Sequence, residues 1–337
     1  MAPTGECYRI LQIHPTRRCN LRCLHCYSFS SPDERDTLER SLLTQAIRDA
    51  STLGYNVVSF SGGEPLLYKH LPELLEVTHQ CSMAAMVASN GMLLDERRLE
   101  MLQGAVELLA ISIDGIPSFH NRMRGNDQAF ELMASRLEGL RQSGIPFGFI
   151  FTLTQHNFRQ LDWVANFAVE QGAKLLQIHP LEEVGRAQEH LAGVQPKQSH
   201  AAYAYVKAIH LQETFGDKLC VQVDLFHQEA MRLNPSSVYA DMPLVSNLER
   251  PLGEILSPLV IEADGMVVPL QHGFARKYAL GNLQEASLTE LAAIWQKERY
   301  PVFLKLCQQV YEQVTAPATL PIADWYDAIA SQAQKVS

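Results

Sequence analysis

No stretch of this 337-residue chain approaches the length of apolar sequence that a membrane-spanning helix needs, and the opening Met-Ala-Pro-Thr-Gly-Glu has neither the basic start nor the apolar core of a secretory signal. The chain is also short of positive charge. Its 28 Lys and Arg stand against 37 Asp and Glu, a net charge of −9, so no global basic field points to nucleic acid or to an anionic membrane. A cytoplasmic protein is expected, in a compartment whose reducing poise keeps thiols free. No low-complexity linker interrupts the chain, and cysteine is sparse, with seven in all. With 47% hydrophobic and 19% charged residues there is material for a substantial core, and room for one large domain plus a smaller one.

Three of the seven cysteines fall in one short run between His14 and Tyr27. Cys19, Cys23 and Cys26 form a CxxxCxxC spacing that random placement would produce with a probability of about 0.003. Three soft ligands on a short loop suit an iron–sulfur cluster, and with no fourth cysteine beside them one iron keeps open coordination positions for another molecule. The alternative for the same loop is a closed zinc site completed by His25 or His14, because imidazole and thiolate also build tetrahedral zinc centres.

Strand-like and helix-like segments alternate through the first two thirds of the chain. Strands are predicted over 8–14, 56–61, 84–89, 107–113, 146–153 and 174–179, and helices over 37–54, 71–80, 95–104, 127–143 and 158–171. Six βα units of this kind predict an α/β fold with a parallel sheet, an incomplete relative of the eight-unit barrel. The polar motifs all fall at the C-terminal ends of those strands: the cysteine loop after the first, Gly62-Gly63-Glu64 after the second, Ser89-Asn90 at the third, Ser112 to Asp114 at the fourth, and Gln177 to His179 at the sixth. That edge of a parallel sheet is where loops converge on a ligand, so a single site is expected.

These motifs resemble the radical S-adenosylmethionine (SAM) superfamily. Ser61-Gly-Gly-Glu-Pro65 resembles its GGEP motif, Ala88-Ser-Asn-Gly91 its T/S-N-G element, and Ile111-Ser-Ile-Asp-Gly115 with His120 and Met123-Arg-Gly125 the SxDG…H…RG stretch of its peptide-modifying branch, together covering about residues 8–180. The resemblance implies one [4Fe–4S] cluster on Cys19, Cys23 and Cys26, and SAM as the second cofactor. It also implies SAM contacts from Gly62 and Gly63 through close backbone approach, from Glu64 to the ammonium, from Ser89 and Asn90, from Ser112 and Arg124 to carboxylate and ribose, and from Tyr27 and Ile178 to the adenine. Arg is the right residue type for a carboxylate, since its planar fork can bind both oxygens, although Arg122 competes with Arg124 for that place. His179 reads more readily as a satisfied histidine than as a pocket residue. In the activity implied, an external electron donor supports reductive cleavage of SAM to a 5′-deoxyadenosyl radical, which abstracts hydrogen from a substrate; no residue is assigned to that abstraction.

The C-terminal third, from about residue 216, reads as a separate extension to a core spanning 1–215. A hairpin turning at Asp264-Gly265, followed by a helix through Trp295, resembles the SPASM/twitch extension that carries auxiliary clusters in peptide-modifying relatives. In those relatives a cysteine follows the hairpin proline; here Leu270 stands in its place, and Cys220 and Cys307 alone cannot supply three or four thiolates. The extension is therefore expected to keep its fold without a cluster and to serve as a substrate wall separable from the barrel, with Gln271 and His272 in the vacated region as polar turn residues. Cys7 and Cys81 read as lone cysteines. The expected substrate is a peptide of ribosomal origin, altered by epimerisation, cross-linking or backbone splicing. Because the first strand begins within ten residues of the start, a separate leader-binding protein is expected to assist. A small metabolite such as a sugar or nucleoside is the second reading, and a non-catalytic iron–sulfur or zinc protein the third.

Overall fold

The computed structural model describes residues 8–317 and 321–335; Cys7 lies outside them. Seven strands run parallel in chain order: β1 (Ile10–Ile13), β2 (Val57–Phe60), β3 (Ala84–Ser89), β4 (Leu108–Ile113), β5 (Phe147–Leu153), β6 (Leu175–Pro180) and β7 (Cys220–Val223). The six βα units expected from the sequence are present, closed by β7 as an additional parallel strand. In β1, β3 and β6 burial alternates strictly between residues. One set, such as Leu11, Ile13, Val87, Leu176 and Ile178, is buried in a continuous apolar core, while Gln12, Gln177 and His179 lie on the other face. A two-residue side-chain period on a half-buried sheet accounts for this.

Helices α1 (Arg40–Thr52), α2 (Leu71–Gln80) and α3 (Glu96–Leu102) follow the first three strands. Asp95 caps α3 by accepting from the Arg98 N–H at 3.0 Å. After β4 comes α4 (Pro117–Arg124), which opens on proline and stops at Gly125 in the left-handed conformation, φ 64°. The single helix predicted over 127–143 is two, α5 (Ala129–Ala134) and α6 (Leu137–Ser143). At the break the Ser135 hydroxyl donates to the Leu132 carbonyl at 2.7 Å, a local bond that competes with helix continuation. Helices α7 (Leu161–Gln171), α8 (Arg186–His190) and α9 (Gln198–Phe215) complete the core. No helix among the described residues is long and apolar enough to cross a membrane.

The chain beyond β7 returns to the opposite edge of the same sheet. After the two-residue β8 (Phe226–His227), strand β9 (Leu259–Ile261) pairs parallel with β1, Leu11 facing Leu259 and Ile13 facing Ile261. It turns at Asp264-Gly265 into β10 (Met266–Pro269), and β11 (Gly281–Asn282) adds the antiparallel rim, so the order is β11-β10-β9-β1-β2-β3-β4-β5-β6-β7. A last short strand, β12 (Ile322–Ala323), pairs with β8. The hairpin is where the sequence placed it, and the helix through Trp295 runs from Leu288 to Glu298 behind a Ser287/Glu290 capping box.

This arrangement overturns the expectation of a separable wall. Leu259, Val260 and Ile261 are fully buried, the Ile10 N–H donates to the Ser257 hydroxyl at 2.9 Å, and the Tyr55 hydroxyl donates to the Leu256 carbonyl at 3.0 Å. The extension supplies the neighbour that β1 needs. Removing three fully buried aliphatic side chains forfeits about 1.5–3 kcal/mol each, a sum that approaches the whole stability of an ordinary domain. Cutting the chain before Pro258 is therefore expected to abolish cooperative thermal unfolding. A truncated protein that melts at the full chain's midpoint would show that β1 does not depend on β9.

Candidate cluster and cofactor site at the barrel mouth

The cysteine run leaves β1 and folds back as a loop from Thr16 to Ser31, pinned chiefly by backbone bonds, with the Thr16 hydroxyl donating to the Asp36 carbonyl at 2.9 Å. Cys19 N–H donates to the Ser31 carbonyl at 3.1 Å and Ser31 N–H returns a bond to Arg17 at 3.2 Å. From the β2 loop, Gly63 N–H donates to Thr16 O and Glu64 N–H to Arg18 O, both at 2.9 Å. Leu24 N–H bonds the Met123 carbonyl on α4, while Arg186 at the head of α8 holds Cys26 O through its backbone N–H and Cys23 O through Nε, each at 2.9 Å. A Cβ on Gly63 would stand 2.2 Å from the Arg18 carbonyl oxygen. The close approach for which the glycine is needed is thus that of the cysteine loop itself.

Cys19, Cys23 and Cys26 are unpaired thiols that pack with Leu21 and Met92. Burial, with Glu64 and the neighbouring thiols adding to it, pushes Cys19 up to about 12, and burial also raises Cys23 although Arg124 opposes the rise. Buried thiols of this kind ionise when a metal supplies the missing positive charge, so the donor set fits an iron–sulfur cluster. Among the described residues no three His, Cys, Asp or Glu side chains converge on a single metal-ion position. Of the remaining described cysteines, Cys307 is fully buried in the helix Tyr300–Val314, Cys220 is exposed on β7 and Cys81 is half-buried.

Glu64 is fully buried, and its carboxylate accepts from the Ser89 hydroxyl at 2.9 Å, the Asn90 N–H at 2.9 Å and the Leu66 N–H at 3.2 Å. Burial raises its pKa against those three bonds. No Lys, Arg or His among the described residues forms an ion pair with it. Asn90 also ties the cysteine loop, its side-chain amide donating to Asn20 Oδ1 at 2.7 Å. Ser89 and Asn90 therefore orient Glu64 and the loop.

Of the two candidate arginines, Arg122 is exposed over the Phe119 ring and Arg124 turns inward. The Arg124 fork expected to meet a ligand carboxylate is occupied within the protein, by Asp114 at 2.7 and 3.1 Å, while Nη1 lies 3.9 Å from Cys23 Sγ. Against the cost of burial, Arg124, His25 and His120 hold Asp114 below the usual carboxylate range. Sequence reasoning considered His25 only as a zinc ligand and placed Asp114 at a strand end without a role; the structure brings the two together at 3.7 Å. Ser112 is half-exposed at the end of β4, whereas Ile178 is wholly buried in the core on the face opposite Gln177 and His179. That alternation points Ile178 away from its expected adenine contact. Tyr27 is half-buried, its hydroxyl 3.2 Å from Ser61 Oγ and its ring against His14 and His272. His179 bonds Asp224 at 2.9 Å with Glu182 at 3.4 Å, and the two carboxylates outweigh burial and hold it protonated.

With this geometry in place, comparison with known proteins is decisive. Residues 13–168 match the Radical SAM superfamily. The match takes in just under half of the chain. It is 32% identical to Fe-coproporphyrin III synthase of Methanosarcina barkeri over 176 residues, which are 51% of this chain and 43% of that protein. It is 26% identical to the sporulation killing factor maturation protein SkfB of Bacillus subtilis over 283 residues, 82% of this chain and 63% of that one. Its fold superposes on Streptococcus suis SuiB bound to precursor peptide SuiA with a TM-score of 0.67 at 14% identity, covering 96% of this chain and 70% of that one. The chain spans about half the length of the first curated relatives it matches. A [4Fe–4S] cluster and SAM are the cofactors expected of the matched superfamily, whose members among these matches include peptide-modifying enzymes.

Two measurements check the site. Reconstituted protein should hold about four irons per chain, one cubane cluster, and Cys23→Ala should lose it; about eight irons would reveal a second thiolate set. Arg124→Leu leaves Asp114 buried without its guanidinium and should cost about 3–5 kcal/mol in denaturant unfolding. A loss below about 1 kcal/mol would mean that His25 and His120 suffice to balance Asp114.

Proposed function

We propose that this protein is a radical SAM enzyme that abstracts hydrogen from a peptide substrate, as in the maturation of ribosomally made peptides. The observation that carries the cofactor half of the reading is Glu64, a fully buried carboxylate held by three neutral donors with no cation paired to it. A buried charge of that kind calls for a positive partner, which the SAM ammonium supplies. Cys19, Cys23 and Cys26 would hold the cluster, and when both groups are bound they supply reductive cleavage of SAM to a 5′-deoxyadenosyl radical, given an external electron donor. Ser89 and Asn90 keep the Glu64 carboxylate oriented, Arg186 and Gly63 keep the cysteine loop seated, and the burial of Cys19 and Cys23 limits water at the thiolates. The Asp114–Arg124 pair sets positive charge beside Cys23. A non-catalytic iron–sulfur protein has no use for a buried carboxylate without an ion-pair partner beside the cluster thiols.

The substrate class rests on where the relatives match. Likeness to the porphyrin enzyme covers half the chain, whereas likeness to the peptide-maturation protein continues over 82% of it, into the region that builds β9, β10 and the rim of the mouth. The loops nearest a substrate are thus shared with the peptide relative. The porphyrin likeness supports a second reading, a small-molecule substrate, which replaces the sugar or nucleoside considered from sequence alone. A separate leader-binding protein fits the first reading only.

Two experiments test this. Glu64→Gln keeps size and loses charge, so SAM binding should weaken by about 1.5–3 kcal/mol in a titration calorimeter; unchanged affinity removes Glu64 from the ammonium. Reduced, reconstituted enzyme incubated with peptides encoded beside its gene, and separately with coproporphyrin-type tetrapyrroles, should change the mass of a peptide and leave the tetrapyrroles intact. The reverse result would transfer the assignment.

A further inference from the structure

Some of the buried polar side-chain atoms without a partner lie on two segments that touch through the His14 and His272 rings. Of the eight such atoms among the described residues, three belong to His14, Gln271 and His272, where the end of β1 meets the loop after β10. His14 is 1% exposed, and the Gln12 side-chain amide lies 2.9 Å from its Nε2. With that amide donating, the His14 proton sits on Nδ1, a buried N–H donor facing no acceptor. Gln271 Oε1 is the opposite case, a buried acceptor with no donor. Buried polar groups are normally paired, so a buried donor and a buried acceptor on two touching segments are complementary halves of a missing ligand's outline.

The loop that brings them together is built for the purpose. Leu270 adopts φ 66°, a left-handed conformation that a branched side chain rarely takes. The turn is held by Leu270 N–H to Pro258 O at 2.9 Å and by Gly273 N–H to Glu262 Oε1 at 2.6 Å, with Arg276 paired to the same carboxylate group at 2.5 Å. These restraints seat the His272 ring on His14, 5.1 Å between centroids and 17° between planes, and against Tyr27 at 5.3 Å. Tyr27 follows Cys26 directly, so the junction adjoins the cysteine loop.

We infer that His14, Gln271 and His272 form a station for one peptide unit of the substrate. His14 Nδ1–H donates to a substrate carbonyl, Gln271 Oε1 accepts from a substrate amide N–H, and the His272 ring, backed by His14, provides a flat face for the amide plane. A donor, an acceptor and a planar surface are the complement of a peptide bond. The region where relatives place a cluster-binding cysteine here becomes a substrate contact. This inference rests on the peptide reading above and names specificity-determining residues within it.

The test uses the reconstituted full chain and the peptide modified in the screen just described. Gln271→Leu should raise KM for that peptide about tenfold with kcat within about threefold and the SAM dissociation constant within about twofold of the parent. In the parent enzyme, methylating one backbone nitrogen of the peptide at the station should raise KM by a similar factor, and that penalty should vanish in Gln271→Leu. Gln271→Glu, which keeps the acceptor, should retain the penalty and guards against a misfolded leucine variant. Additive penalties, an unmoved KM, or a loss of SAM affinity matching the loss of peptide affinity would each overturn the station while leaving the peptide reading intact. If no peptide is modified in the screen, the reading beneath it fails, and the station with it.

Discussion

The mouth of this barrel depends on the contact between the Arg18 carbonyl and Gly63. A loop that carries three cysteines for a shared cluster is short of apolar side chains and cannot hold its own shape, so its backbone must be bonded from outside. Gly63 and Glu64 do this from β2, Asn90 from β3, Met123 from α4, and Arg186 from the head of α8. A side chain at position 63 would sit 2.2 Å from the Arg18 oxygen and lift the loop off the sheet. The Gly-Gly pair therefore acts first on the protein and only through it on any ligand.

Charge is distributed in two buried groups that differ in kind. On one side of the cysteines, Asp114 and Arg124 are matched, with His25 and His120 beside them, and the pair places guanidinium charge near Cys23. On the other, Glu64 is held by neutral donors alone. The balanced group is complete within the fold, while the unbalanced one is stable only because three hydrogen bonds offset part of its desolvation. That asymmetry separates Arg124, whose guanidinium is already paired within the protein, from Glu64, whose carboxylate meets only hydrogen-bond donors.

The C-terminal segment has a structural and a chemical part to play. Through β9 it supplies the neighbour of β1, so that Leu11 and Ile13 pack in a core continuous from the first strand to the last helix. Through the strained turn at Leu270 it returns Gln271 and His272 to the mouth. The position of this segment in the sheet is set by backbone pairing that involves no thiol.

Local information determined a good deal. Hydrophobic alternation and turn residues located the six βα units and the hairpin, since those depend on side-chain period and on Gly, Pro and Asp within a few residues. The cysteine spacing singled out Cys19, Cys23 and Cys26 for the same reason: they lie on one short loop, and they pack together there. What sequence could not supply was the partner of each side chain. Arg186 meets Cys23 across 163 positions, and Arg124 meets the same cysteine across 101; His272 reaches His14 only because β9 lies against β1. Whether Arg124 faces a ligand or Asp114, and whether Ile178 or His179 faces the mouth, follows from sheet order and strand register, which are set by packing of the whole chain.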